Sequence, residues 1–444
     1  MATISQQPNL YNGAYVPNVW VLDGLTTEDR YVLNVLLNGT IVSTIKQPAN
    51  PEGVGIFDVQ KIVQSYLKPA FLEETTFAAD TPDALVSYQV QYGTETGTTV
   101  TIDGTSTTKF VINSYDNWRV VNQDLTDFLP NPGDDTCRNS NVNARYASPL
   151  SWLTNYPEDY KVRSNEYKTL SFFSTNTNIG PNWGPNEAPF FVHIEYFNEA
   201  GTSLSNAVYT LGQSWGSSLR LNCQDMTVNQ TNDNRITTIG VGPQNQQDGG
   251  ITWDPNWASY IVHVHAYNHC MDTTISDCLD FSEILSDGYL GDIIYEATFT
   301  VDDTCERFDP VTVSFVNQYG VKDYMDFKKR NTSTTNTNRN NYTKVLGSWS
   351  SDSFAIDQHG RGKTTFSSDA MTRVTLSTDW MEDSVSTWLQ ELYISPSVQL
   401  YINGQWEPCT ITTSSYSEKT YARNQLFQHE LTVEFSNNQK IQRG

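Results

Sequence analysis

Tyr31-Val32-Leu33-Asn34-Val35-Leu36-Leu37-Asn38-Gly39-Thr40-Ile41-Val42-Ser43-Thr44-Ile45 decides the fold class. Two apolar, β-prone runs flank Asn38-Gly39. Both central residues of a type I′ turn need positive φ, which Asn-Gly tolerates, so the stretch predicts a tight antiparallel hairpin. Working outward, Val59, Ile62, Val63 and Tyr66 fall at helical spacing within Phe57–Leu67, and Asp58 is placed to cap the start. That spacing predicts one short helix over the end of a sheet. Leu85 to Tyr92, Thr99 to Ile102 and Lys109 to Ile112 read as further strands. Residues 1–125 are therefore expected to form an N-terminal β-domain.

A Pro/Asn/Gly-rich stretch at 129–143 reads as a linker or long loop. Strand signals then resume across 126–305, the expected middle β-region. They are Tyr167 to Phe173, Phe190 to Phe197, a polar strand with Leu204, Val208 and Tyr209, Tyr260 to Tyr267, and Asp292 to Val301; Gly240 to Gly250 reads as turn. In 306–444, Pro310 to Val316 and Tyr324 to Phe327 bracket Tyr319-Gly320 as a hairpin. Asn331 to Asn341 holds no apolar residue and reads as a solvated loop. Met381, Val385, Trp388, Leu389 and Leu392 share one face of an amphipathic helix at 379–394. Asp379 and Glu382 make its capping-box-like start and Ser395-Pro396 its stop. Val398 to Ile402 closes on Asn403-Gly404, and Leu431, Val433 and Phe435 alternate with Thr432 and Glu434. The expected class is mainly β, with several β-sandwich-like domains and a few short helices.

The 444 residues carry 50 Asp or Glu against 27 Lys or Arg, a net charge of −23. Duplex binding neutralises phosphates with Lys/Arg clusters, so this balance argues against direct, sequence-specific nucleic-acid recognition. The short basic run Lys328-Lys329-Arg330 is too brief to change that. No run approaches the roughly 18 apolar residues of a membrane helix, so no membrane insertion is expected. Met1 to Leu10 has neither the basic region nor the apolar run of a secretory signal, which points to folding in the cytoplasm of the producing cell. Cys137, Cys223, Cys270, Cys278, Cys305 and Cys409 are scattered, without a CxxC, and read as free buried thiols. Asp-Asp-Thr-Cys occurs twice, ending at Cys137 and at Cys305.

Catalytic motifs are absent. There is no Gly-x-Ser-x-Gly elbow and no phosphate loop, and Gly240-Val241-Gly242 lacks the third glycine of a dinucleotide fingerprint. The chain is read as a non-enzyme that takes no cofactor. Asp134-Asp135 and Asp302-Asp303 offer carboxylate pairs of the kind used in glycoside hydrolysis or Ca²⁺ binding, but solvated surface is the plainer reading. His263 and His265 flank Val264 on a strand and so point the same way. With His269, Cys270 or Asp272 they would suit Zn or Ni. The plainer reading is two histidines on the exposed face of a strand whose other face carries Val262, Val264 and Ala266, and no metal is assigned. Trp183, Trp253 and Trp257 lie in Asn/Pro/Gly-rich loops. They are candidates for stacking on sugar rings, against packing under a loop or against a neighbouring subunit.

Four passages go further. They are Asn50-Pro51-Glu52-Gly53-Val54-Gly55-Ile56-Phe57-Asp58-Val59 running into Ile62 to Leu67; Trp152-Leu153-Thr154-Asn155-Tyr156-Pro157; Cys305-Glu306-Arg307-Phe308-Asp309-Pro310-Val311 through Gly320, with Asp323-Tyr324-Met325-Asp326-Phe327; and Glu391-Leu392 to Ser395-Pro396-Ser397-Val398. Each resembles tail, baseplate or neck (collar) proteins of phages and prophages of Bacteroidetes, crAss-like phages included. The resemblance runs in order along most of the chain, is thinnest between residues 200 and 300, and is departed from at 331–341. It implies a late virion structural protein of β-sandwich domains, made in the bacterial host cytoplasm. Its partners would be other copies of itself and other virion structural proteins, and no catalytic residue carries over. The expected role is a symmetric oligomer joining neighbouring virion proteins. The alternative is a tail protein that binds a host surface glycan or receptor, with Trp183, Trp253 and Trp257 as its contacts.

Overall fold

The computed structural model describes residues 1–25, 29–70, 78–115, 125, 128, 150–157, 161–174, 189–210, 235–267, 290–303, 307–359, 362–381, 383–413, 428–437 and 440–443. The chain is mainly β and divides into two compact units, Met1–Thr304 with Val316–Tyr324, and Cys305–Phe315 with Met325–Gly444. The stretch at 129–143 lies outside the described residues.

The first unit opens with the predicted hairpin. Arg30–Leu37 pairs antiparallel with Thr40–Pro48, and Asn38 (φ 49°) and Gly39 (φ 76°) both occupy the left-handed region that a type I′ turn requires. The surrounding six-stranded sheet runs Tyr11–Gly13, Lys109–Ile112, Leu85–Thr96, Arg30–Leu37, Thr40–Pro48, with Thr99–Thr105 also paired to Leu85–Thr96. Tyr31, Leu33, Val35 and Leu37 alternate into a core shared with Trp20, Leu22 and Phe57, which belong to a three-stranded sheet of Thr3–Gln6, Val19–Asp23 and Gly55–Asp58. Val59 and Val63 cover that core from the helix Gln60–Gln64. Asp58 Oδ1 accepts from the backbone N–H of Gln60 at 2.9 Å. The helix is shorter than the spacing predicts, because Ser65 Oγ donates to Ile62 O at 2.7 Å and closes it, leaving Tyr66 exposed.

A second sandwich-like core follows. Thr169–Ser174, Arg235–Gly240 and Ala78–Thr81 form a three-stranded sheet. Its Leu170, Phe172 and Ile239 meet Val192, Ile194, Val262, Val264, Tyr295 and Phe299 of a four-stranded sheet ordered Ser203–Thr210, Pro189–Phe197, Ser259–Tyr267, Leu290–Thr300. Ala78–Thr81 comes from the N-terminal stretch of sequence, which thus lends a strand to the second sandwich. A third cluster of Tyr11, Leu85, Ile112, Leu153, Phe173, Ile236, Tyr319 and Val321 packs the rest of that junction. Gly240 to Gly250, read as turn, contains the helix Pro243–Asp248; Pro243 stands in its first turn, where a missing N–H costs nothing and φ is already set.

Residues 316–324 reach into this junction. Gly320 O accepts from Ala70 N at 2.8 Å, and Asn317 Nδ2 donates to Leu153 O at 2.9 Å. Gly320 has φ 76°, and a Cβ placed on it would sit 2.5 Å from Asn113 O, whereas one on Gly39 would meet nothing. Gly39→Ala is therefore expected to cost about 1–2 kcal/mol, the left-handed penalty alone. Gly320→Ala is expected to cost at least twice as much. Urea unfolding midpoints compare the two variants, and equal shifts would contradict this.

Apart from the small hairpin Ser348–Ser350 with Ser353–Ala355, the remaining strands form one eight-stranded sheet. Its order is Lys322–Phe327, Val311–Val316, Val398–Ile402, Gln405–Ile411, Glu430–Phe435, Lys363–Ser377, Thr332–Thr343, with Lys440–Arg443 also on Lys363–Ser377. Asn403 (φ 54°) and Gly404 (φ 79°) make the expected tight turn. The helix Asp383–Ile394 buries Val385, Trp388, Leu389 and Leu392, and Trp388 lies 5.5 Å from Phe315. It starts later than Asp379, which instead pairs with Lys329 Nζ and accepts from Trp380 N, both at 2.7 Å. Cys409 is buried, and burial pushes its thiol up to about 12. Among the described residues no helix is long and apolar enough to cross a membrane.

The solvated loop expected at Asn331 to Asn341 is instead a strand. Thr332–Thr343 pairs with Lys363–Ser377 along its full length. Thr is β-branched and favours extended backbone, and polar cross-strand pairs replace the missing apolar alternation. Thr365 Oγ1 donates to Asn341 Oδ1 at 2.9 Å, and Asn340 Nδ2 to Ser367 Oγ at 3.0 Å.

Candidate functional site

The strand Thr332–Thr343 is exposed at every position. It is the outer strand of its sheet, and twelve residues at about 3.4 Å each give it a reach of about 40 Å. Inside the stem, Lys363–Ser377 is held on its far side by Glu430–Phe435 at 373–377 and by Lys440–Arg443 at 367–370. Further out, among the described residues, the two strands pair only with each other. The connecting segment carries a small hairpin, Ser348–Ser350 against Ser353–Ala355, with Trp349 opposite Phe354. Val345 is 75% exposed, Trp349 72% and Ile356 70%; Tyr342, Leu346, Phe354 and Phe366 are also exposed. A soluble monomer rarely displays so many large apolar side chains in one segment.

Charge separates the same segment from the rest. Between Thr332 and Ser377 five Lys or Arg stand against three Asp, a balance of +2, so the remainder of this −23 chain carries −25. The segment is thus weakly basic within a strongly acidic chain.

The histidine pair of the sequence lies elsewhere, in the four-stranded sheet. Val262 and Val264 turn inward to the core, and His263 and His265 to the opposite face. That face is not exposed as expected: His263 is 8% exposed and His265 1%. His193, on the neighbouring strand directly opposite His263, completes a trio with ring centroids 5.8–5.9 Å apart. One ring nitrogen from each lies within 4.8 Å of the others. Burial holds His193 below the ordinary histidine range, partly offset by its bond to Asn206 and by Glu195. As pH falls below about 6.5 the unfolded chain takes up this proton first, so His193 withdraws stability on the acid side. The sequence reading missed His193 because it stands 70 positions from His263. Its one local signal is polar alternation, His193 and Glu195 between Val192, Ile194 and Tyr196. His269, Cys270 and Asp272 lie outside the described residues.

Trp257 stacks on Tyr196 with ring centroids 4.0 Å apart, and Trp253 meets Trp257 edge-on at 5.0 Å. Trp257 belongs to the core and Trp253 packs against it, so neither forms an open platform for a sugar. Trp183 lies outside the described residues, as do Asp134 and Asp135. Asp302 pairs with Lys161 at 3.2 Å and Asp303 accepts from Ser164 N at 2.9 Å, which are structural roles. No protein-family model matches the sequence, and a search of curated proteins finds no match.

Proposed function

We propose that this protein is a structural subunit of a phage virion, of the tail, baseplate or neck, that joins copies of itself and neighbouring virion proteins into a symmetric oligomer. The observation that carries this reading is the arm at 332–377. Outside the stretches of its inner strand that other strands flank, the arm is a two-stranded ribbon, which is marginal on its own, and its outer strand offers a row of backbone donors and acceptors. Both needs are met by another chain. Its charge commits the first contact to a second copy: a +2 arm finds a body carrying −25 in every identical neighbour. Arm on body is a heterologous contact, and such contacts close into rings when the rotation allows. In a ring around DNA the same acidity would line a lumen that repels the duplex.

A second reading rests on Trp349, the most exposed tryptophan described. A tail protein binding a host glycan would stack sugars there, and a glycan array separates the two: arm-dependent retention of a sugar favours the receptor reading. The virion reading is tested by mass spectrometry of purified particles from a host strain carrying the gene. The chain is expected among the particle proteins at a fixed multiple of other tail components. Its absence from intact particles would end the proposal.

A further inference from the structure

We propose that His193, His263 and His265 form a structural zinc site that staples strand Pro189–Phe197 to strand Ser259–Tyr267, with Glu296 balancing the charge. The inference stands independently of the assembly reading. Three observations carry it.

The first is placement. Cross-strand register sets His193 opposite His263, and His265 lies two residues further along the same face. Three imidazoles therefore converge from two strands of a rigid sheet, each less than a tenth exposed. Zn–N bonds of about 2.0–2.1 Å at tetrahedral angles set donor atoms about 3.3 Å apart. With the ring nitrogens already within 4.8 Å of one another, small side-chain rotations bring three donors to that spacing and leave the fourth position of the tetrahedron to water.

The second is proton arrangement. Asn206 Oδ1 lies 3.0 Å from His193 Nε2, so that nitrogen donates its hydrogen and Nδ1 keeps the lone pair. A metal-binding histidine is commonly oriented in this way, its second nitrogen held by an oxygen acceptor.

The third is the neighbouring charge. Glu296, directly opposite His263 on strand Leu290–Thr300, brings Oε2 within 3.1 Å of His263 Nε2. Three imidazole nitrogens with one carboxylate suit a borderline divalent ion. Ca²⁺ and Mg²⁺ need a shell of oxygens, and the trio supplies nitrogens.

The test uses the full chain, stripped with EDTA, dialysed, and titrated with Zn²⁺, then with Co²⁺ as a spectroscopic probe. Metal content, thermal midpoint and the Co²⁺ spectrum are read together. The expected result is one equivalent of Zn²⁺ per chain, a midpoint that rises with Zn²⁺, and a Co²⁺ spectrum without thiolate charge-transfer bands. Glu296→Gln is expected to weaken binding about 10–100-fold, the usual range for a supporting carboxylate. His193→Gln is expected to weaken it more. Because either variant can alter folding, the wild-type result decides by itself. Less than a tenth of an equivalent with an unmoved midpoint, or a thiolate band in the Co²⁺ spectrum, would overturn the proposal, as would full Zn²⁺ retention by a folded His193→Gln protein.

Discussion

Replacing residues 344–362 with a two-residue Asn-Gly turn is expected to leave a folded chain that no longer associates. Thr343 and Lys363 are cross-strand partners, so a two-residue turn joins them in register. The excised segment holds Lys344 and Arg361 against Asp352 and Asp357, so its removal leaves net charge unchanged. What goes is the apolar group Val345, Leu346, Trp349, Phe354 and Ile356, all of it exposed. Since these side chains bury little within their own chain, the thermal midpoint of the separated subunit should hardly move. Association should fall steeply. Trp349→Ala alone is expected to weaken it about 30-fold, the effect of losing about 2 kcal/mol at an aromatic anchor. Reversing two arm charges, Arg339→Glu with Lys363→Glu, tests the other component. It turns the arm from +2 to −2, and should slow association and abolish its sensitivity to salt. Normal association by the shortened chain would remove the arm from the account.

The second large effect concerns stability. Glu166 is fully buried and Lys168 nearly so, with Nζ to Oε1 at 2.9 Å. Lys168 Nζ also donates to Tyr324 O and lies 4.8 Å above the Tyr156 ring. Glu166 Oε2 accepts from Arg163 N at 3.0 Å. Glu166→Ala removes a fully buried carboxylate 2.9 Å from the buried ammonium, and is expected to cost about 3–5 kcal/mol. The exposed pair Lys68–Asp83 provides the contrast, since Asp83→Ala should cost less than about 1 kcal/mol. Replacing both buried partners, Glu166→Gln with Lys168→Met, should cost less than Glu166→Ala alone, because both charges are then removed together. Urea titrations of the three variants decide. A Glu166→Ala shift no larger than that of Asp83→Ala would show that the buried pair matters little.

Legibility from sequence followed the range of the forces. Asn38-Gly39 and Asn403-Gly404 were readable because a type I′ turn is dictated by two adjacent residues. The face Val385, Trp388, Leu389, Leu392 was readable because its period sits within three turns. Thr332–Thr343 was misread because strand patterns reveal which face is buried, and this strand buries neither. Its pairing comes from Lys363–Ser377, beyond any local window. Ala78–Thr81 and Arg235–Gly240 escaped for the same reason, being partners more than 150 positions apart. In the histidine trio, His263 and His265 were visible as an i, i+2 pair. Neither His193 nor the burial of the face could be read from their neighbours, since both come from strand register. Trp253 and Trp257 show the converse: Asn/Pro/Gly-rich surroundings suggested exposure, and Tyr196 turned Trp257 into core.

The central claim, that the arm at 332–377 joins this chain to copies of itself, is tested most directly by light scattering of the purified full-length protein across concentration and at low and high salt. The account expects a defined multimer several times the 50.1 kDa chain mass, dissociating as salt rises. A monomer at every concentration and salt would contradict it.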